Sequence, residues 1–350
     1  MERDDVSPDK SNNCGRTPLL LAATNGHEGV VKLLLERKDV SPNKPDNHGR
    51  TPLLLATTNG HEGVVKLLLE RKDVSLDKLD NRGQTPLWLA AQHRHVEVVK
   101  LLLGRKAVTP DMLRDGAQTL LLWAAENGYN EVAQLLLGRE EVSNDMLNDG
   151  VQTLLLWAAR TGHEGVVKLL LERKNVSPDK LDNHHRTPLS WAACNGHDRV
   201  VKLLLAQEDV SSNSLDKDGR TSLSWATCNG RDEVVMLLFE REDVSPDKPD
   251  SHGRTPLSWA ACNGHDRVVK LLLERKDVSP DKPDNHERTP LSLAAKNGHE
   301  GVVKLLLERK DVSPDRPNNL GKTPLSLATF YWHVGVIKLL EARKAATPAQ

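Results

Sequence analysis

Fourteen histidines, four cysteines and seven tryptophans are the residues of this 350-residue chain whose types could carry chemistry. Histidine and cysteine together suggest zinc, thiol chemistry or a pH switch, and tryptophan suggests stacking on a ring or a cation. Their spacing tests each idea. Cys194, Cys228 and Cys262 stand 34 residues apart, and so do Trp123, Trp157, Trp191, Trp225 and Trp259. A translational repeat sets like residues in a row at about one helix spacing, ~8–10 Å. A disulfide needs Cα atoms within ~4.4–6.8 Å, and zinc needs tighter convergence still. Catalysis needs unlike residues meeting at one point. The expectation is therefore no catalytic residue, no cofactor and no metal. The steps such as Gly49-Arg50-Thr51-Pro52 also lack the Gly-Lys-Ser/Thr ending and the preceding strand of a phosphate-binding loop.

The elements that must position these rows follow from the same period. Thr-Pro-Leu, or a close variant, begins at Thr17, Thr51, Thr85, Thr119, Thr153, Thr187, Thr221, Thr255, Thr289 and Thr323, each step being 34 residues. Ten copies account for 340 of 350 residues, so one repeated unit explains nearly the whole chain. Counting each Thr as zero, +2 is Leu and +5 is Ala in every copy, from Leu19 and Ala22 to Leu325 and Ala328. Positions +13 and +17 are always Val and Leu, an i,i+4 pair that marks the buried stripe of a second helix, with Leu at +16 and +18 widening it. Gly at +9 in eight copies breaks helix from helix, and His usually follows it at +10, as at His27, His61 and His265. Thr before Pro is a helix start: Pro at the first helical position loses no hydrogen bond, and the Thr hydroxyl caps free N–H groups. After the second helix a run such as Asp277-Val278-Ser279-Pro280-Asp281-Lys282-Pro283-Asp284 can only be loop. The unit reads helix, turn, helix, finger. One unit has too few apolar side chains to offset the ordering of its own backbone, so stacked neighbours must complete the core.

These residues resemble a known family. Gly49-Arg50-Thr51-Pro52-Leu53, then Ala56, Gly60-His61 and Val64-Val65-Lys66-Leu67-Leu68-Leu69, are similar to the ankyrin repeat pattern. The tetratricopeptide repeat shares the period, but its Trp-x-x-Leu-Gly-x-x-Tyr pattern is absent. Copies that read Thr-Pro-Leu-Ser-Trp-Ala-Ala resemble the long ankyrin arrays of filamentous fungi. The resemblance implies an all-α ankyrin-repeat solenoid of ten 34-residue helix-turn-helix units with extended, hairpin-like fingers. Residues 1–11 then form a truncated finger and 12–350 the array, divided as 12–45, 46–79, 80–113, 114–147, 148–181, 182–215, 216–249, 250–283, 284–317 and 318–350. Departures from the family are informative. Its Gly after the second helix is replaced, as at Lys38-Asp39-Val40, so that helix must end another way. Its His at +3 becomes Leu or Trp in copies one to five and Ser in copies six to ten. Thr119-Leu120 and Thr153-Leu154 replace Thr-Pro, which predicts fingers that bend differently there. The chain opens mid-unit, which suggests a fragment or duplication product of a longer array.

Function is bounded by charge. Lys+Arg 48 against Asp+Glu 49 leaves a net charge of -1, which disfavours nucleic acid and anionic membranes. No apolar run approaches the ~18–20 residues of a membrane span, and no secretory signal is visible, so a cytoplasmic or nuclear protein is expected. The Trp row at +4 is expected to lie beside the Leu/Ala core and bridge neighbouring units, with ligand stacking the alternative. The resemblance implies a non-enzymatic scaffold that binds a protein partner on the concave face, where finger tips and +7 and +8 of the first helices meet. Position +7 varies most against a constant frame: Thr24, Thr58, Gln92, Glu126, Arg160, Cys194, Cys228, Cys262, Lys296 and Phe330. The candidate protein-binding residues are Trp88, Gln92, His93, Arg94, Glu126, Tyr129, Arg160, Lys296 and Phe330. The alternative is a detached recognition or sensor array of a larger multidomain signalling protein, and end-to-end self-association of the array is a further expectation.

Overall fold

The computed structural model describes residues 7–104, 117–138, 144–173 and 176–346. Regular structure among them is helical, and the chain divides into two compact units, Met1–Leu154 and Leu155–Gln350. The first holds α1 (Pro18–Thr24), α2 (Glu28–Leu35), α3 (Pro52–Asn59), α4 (Glu62–Glu70), α5 (Pro86–Gln92), α6 (Val96–Leu103), α7 (Ala117–Asn127) and α8 (Asn130–Leu137). Then comes α9 (Asn144–Thr161). The second unit continues with α10 (Glu164–Leu171), α11 (Pro188–Asn195), α12 (Asp198–Leu205), α13 (Ser222–Cys228), α14 (Asp232–Phe239) and α15 (Pro256–Asn263). It closes with α16 (Asp266–Leu273), α17 (Pro290–Asn297), α18 (Glu300–Leu307), α19 (Pro324–Phe330) and α20 (Val334–Ala346).

Where a Thr-Pro step is present, the first helix starts there. The Thr255 hydroxyl accepts from the Ser258 N–H at 3.1 Å with Pro256 in the first turn, and Thr51 caps Leu54 the same way at 3.3 Å. The repeated apolar positions form the core. Leu257, Ala260 and Leu272 are fully buried and Val268 nearly so. Position +14 is buried as well, as at Val65 and Val269, so the second-helix stripe is +13, +14 and +17, and Leu67 at +16 is only half-buried. Serine at +3 stays inside by bonding its own cap: Ser292 Oγ donates to the Thr289 carbonyl at 2.8 Å. Leu20 and Leu54 at the same position are buried as plain core residues.

Neighbouring copies are joined by three recurring bonds. The His at +10 reaches back to the +7 carbonyl of the copy before: His61 to Thr24 at 2.9 Å, His265 to Cys228 at 3.0 Å, His299 to Cys262 at 2.9 Å. That seat requires glycine at +9 of the preceding copy, because a Cβ on Gly230 (φ +67°) would lie 2.6 Å from His265 Nδ1. Arg71, Arg241 and Arg309 end the preceding second helix by donating to the Leu35, Leu205 and Leu273 carbonyls at 2.5, 3.2 and 3.1 Å. Each of these arginines is held by an Asp two residues on, which is how the helix closes without its usual glycine. Finger tips also bond to one another, Asn47 N–H to Cys14 O at 3.2 Å and Asn285 N–H to His252 O at 3.0 Å.

One region departs from expectation. A finger is predicted before Thr153, but α9 runs unbroken from Asn144. Leu154 stands where seven copies have proline; it keeps its N–H and lacks the ring that would clash with the preceding turn, which permits the helix to run through from upstream, although Ser222 at the same step begins a helix in the usual way. Likewise α7 begins at Ala117, ahead of Thr119-Leu120.

Candidate functional site

The nine predicted site residues fall into separate groups. In the first unit, Gln92 and His93 at the end of α5 are exposed and line a cavity of about 340 Å3. Its walls include Thr58 from α3 and the finger residues His48, Asn81 and Arg82. Gln84 donates across it to Gln92 at 3.4 Å. Arg94, next in the chain, is exposed and occupies the glycine seat with φ +62°. A Cβ there excludes a following His, and copy four carries Tyr129 instead, its ring folded onto Trp123 of its own copy at 4.8 Å. Trp88 is half-buried beside its cap Thr85 and does not line the cavity. The side chain of Glu126 lies outside the described residues. In the second unit, Lys296 and Phe330 gather around Tyr331: Lys296 Nζ lies 5.9 Å from its ring and Phe330 meets it edge-on at 5.0 Å. Phe330, Trp332 and Leu320 are 63%, 83% and 75% exposed, an apolar end to the last copy. Arg160 is exposed and lies over Trp157 and Trp191.

A second arrangement was missed at the sequence level. An Asp five residues before the Thr (position -5) sits nearly buried at the base of the finger, and its Oδ1 accepts from the backbone N–H groups two and four residues on. Asp46 and Asp284 do this, at 2.9–3.0 Å, and their Oδ2 also binds the guanidinium of Arg50 and Arg288. Burial pushes these carboxyls up, but the arginine and the two backbone donors outweigh it and hold both below the usual carboxylate range. Where +4 is tryptophan the bonding changes. Trp191, Trp225 and Trp259 donate Nε1 to Asp182, Asp216 and Asp250 at 2.9, 2.9 and 3.2 Å. In copies six and seven the arginine leaves its own Asp and lies between rings. Arg186 stands 4.6 and 4.3 Å from Trp191 and Trp225, and Arg220 stands 4.6 Å from both Trp225 and Trp259. Arg254 closes the row, 3.7 Å over Trp259 and still bonded to Asp250. The tryptophans thus bridge neighbouring copies as expected, with arginines on their faces. The only sequence signal was the pairing of Asp at -5, Arg at -1 and Trp at +4, visible once the copies are aligned.

The cysteine row sits beside this ladder on the first helices. Burial pushes the Cys194 and Cys228 thiols up, which opposes thiolate formation. Among the described residues no group of three or more His, Cys, Asp or Glu is placed to hold a metal ion, and no helix is long and apolar enough to cross a membrane. What the arrangement offers is recognition: a polar cavity in the first unit and a guanidinium row in the second, each on the finger and first-helix side of its own unit. A comparison with curated proteins finds no match. A family model describing ankyrin repeats (3 copies) matches residues 4–80, 72–146, 121–214, 206–284 and 276–348, which span nearly the whole chain.

Proposed function

The chain belongs to the ankyrin repeat family, and from that premise we propose that it is a non-enzymatic scaffold that binds a protein partner through the finger and first-helix side of its units. Ankyrin repeats are generally protein–protein interaction modules. The observation that carries the reading is the contrast between an unchanging buried frame and the variable residues at +7, of which Gln92 and Arg160 are exposed, with exposed His93 replacing the Asn that most copies carry at +8. A protein frame that keeps its core and varies one face presents many surfaces on one architecture. The 340 Å3 cavity beside Gln92 and His93 gives that face relief in the first unit. In the tryptophan row of the second unit, arginines lie over the rings on which nucleobases would stack.

The test is affinity capture with mass spectrometry from a native extract, using the intact chain and a variant with Gln92, Glu126, Tyr129 and Arg160 changed to Ala. Loss of one partner from the variant, with its circular dichroism unchanged, supports the reading. Identical captures by both baits refute this placement of the face.

A further inference from the structure

We propose that the tryptophan–arginine ladder of the second unit is a binding site for an extended acidic peptide whose carboxylates recur at every third residue. The inference rests on the protein-binding reading above and names the chemistry of the partner.

The repeats supply their own controls. In copies two and nine, +4 is Leu55 and Leu293, and Arg50 and Arg288 are bonded to Asp46 and Asp284 with Nε at 3.0 and 2.7 Å. Their donors are engaged. In copies six and seven the tryptophan indole takes the carboxylate, and Arg186 and Arg220 are left without a side-chain hydrogen bond among the described residues. Their closest carboxylates, Asp216 and Asp250, stand at 4.0 Å. Both Nε atoms are shut off from solvent with no partner. A guanidinium has five N–H donors in a planar fork and can neither lose its charge nor leave them unmet cheaply. These two are also immobilised: their side chains are only 21% and 16% exposed, clamped between rings. The Nε donors are closed to an incoming carboxylate, so docking falls to the outer Nη groups, and a fork already ordered loses little entropy when a carboxylate binds them.

Spacing selects the ligand. Arg186 and Arg220 lie 4.3 and 4.6 Å from the centre of the Trp225 ring, so successive guanidiniums are at most about 9 Å apart, near one helix spacing. A peptide in the extended polyproline II conformation has three residues per turn and rises ~3.1 Å per residue, so every third side chain recurs on one face at ~9 Å. Arg160 and Arg254 extend the row at either end, giving four guanidiniums to the three carboxylates Asp182, Asp216 and Asp250. Phosphate on a single-stranded nucleic acid would meet the same charges, but such strands bind through base stacking as well, and here arginines cover the ring faces.

Fluorescence anisotropy on the full chain at low ionic strength tests this with a labelled dodecapeptide of four Glu-Gly-Gly triplets. The comparators are a peptide of the same composition with its four Glu contiguous, the Lys-Gly-Gly equivalent, and oligo(dT). One variant is Arg186→Gln with Arg220→Gln, glutamine being native at this position in Gln84, Gln118 and Gln152. The other is Trp191→Leu, Trp225→Leu and Trp259→Leu, leucine being native at Leu55 and Leu293. The expected result is that the spaced Glu peptide binds several-fold tighter than the clustered one, that the Lys peptide does not bind, and that each variant weakens binding by about tenfold or more. If a triple variant loses its helical signal, Arg220→Gln alone carries the test. The proposal is overturned if wild type does not bind the spaced peptide, if the arginine variants bind it undiminished, or if oligo(dT) binds more tightly and is lost in the same variants. Capture of a protein partner with no peptide binding sinks the ladder alone; capture that is the same for both baits, with peptide binding lost in the ladder variants, sinks only the face placed at Gln92 to Arg160.

Discussion

Asp284 offers the sharpest test of what a carboxylate does at the base of a finger. Its side chain is fully buried; Oδ1 accepts from His286 and Arg288 N–H, each at 2.9 Å, and Oδ2 holds Arg288 through Nε at 2.7 Å and Nη2 at 2.6 Å. Copies one and ten carry Asn at this place, and Asn12 and Asn318 make the same two backbone bonds without a charge. Asp284→Asn should therefore keep the turn and lose only the arginine. A charge-assisted pair contributes roughly 1.5–3 kcal/mol, discounted because the Arg288 side chain keeps 28% exposure, so the expected loss is about 1–2 kcal/mol. Asp284→Ala also strands two backbone N–H groups at ~1 kcal/mol each, for a total of about 3–4 kcal/mol. The carboxyl's folded pKa lies below its unfolded value near ~3.9, so its contribution is full above that value and is lost as pH falls through the folded pKa. Urea unfolding followed by circular dichroism at pH 7 and pH 3, with amide exchange of His286 and Arg288, measures all of this. The reasoning fails if Asn costs as much as Ala, if Ala lies within about 1 kcal/mol of wild type, or if the wild-type to Ala gap is as wide at pH 3 as at pH 7.

Other outcomes follow from the same contacts. His265→Ala should cost about 1–2 kcal/mol in urea unfolding, whereas His265→Arg should cost under about 0.5 kcal/mol, because Arg231 in the equivalent seat reaches the Cys194 carbonyl with Nε at 3.3 Å. Gly264→Ala places a Cβ 2.7 Å from His299 Cε1 at φ +75° and should destabilise by more than about 1 kcal/mol, while Trp332→Gly relieves a φ of +60° and should raise the unfolding midpoint. Leu154→Pro should restore a helix start at that step and lower the far-ultraviolet helical signal by about the ten residues from Asn144 to Thr153.

The frame was legible because each of its determinants is local or periodic. Leu257, Ala260, Val268 and Leu272 are recognisable by recurrence at 34, and Thr255-Pro256 by the chemistry of a helix start. The fate of Leu154 was not, since a missing proline permits a longer helix without requiring one. The bonds of the ladder were out of reach for a different reason. Whether Arg220 binds Asp216 or lies between rings depends on Trp225 competing for the same carboxylate across nine residues, and on Trp259 arriving from the next copy. The predicted residues Gln92, His93 and Arg160 do reach exposed positions, because +7 and +8 at the end of the first helix face away from the core. Trp88 at +3 turns inward with the leucines that share its position, and Tyr129 is drawn onto Trp123.

The glycine-to-histidine seat also governs how such a gene can change. Between Gly230 and His265, Gly264 and His299, or Gly298 and His333, every junction offers the same void and the same carbonyl. Deletion or duplication of one whole 34-residue unit among them would join surfaces that already match, so array length is free to drift there by recombination. Arg94 and Tyr129 are different. A crossover that set copy three against a histidine-bearing copy would drive that ring into the Arg94 Cβ, so these two positions must be inherited together, a fixed seam in an otherwise interchangeable series.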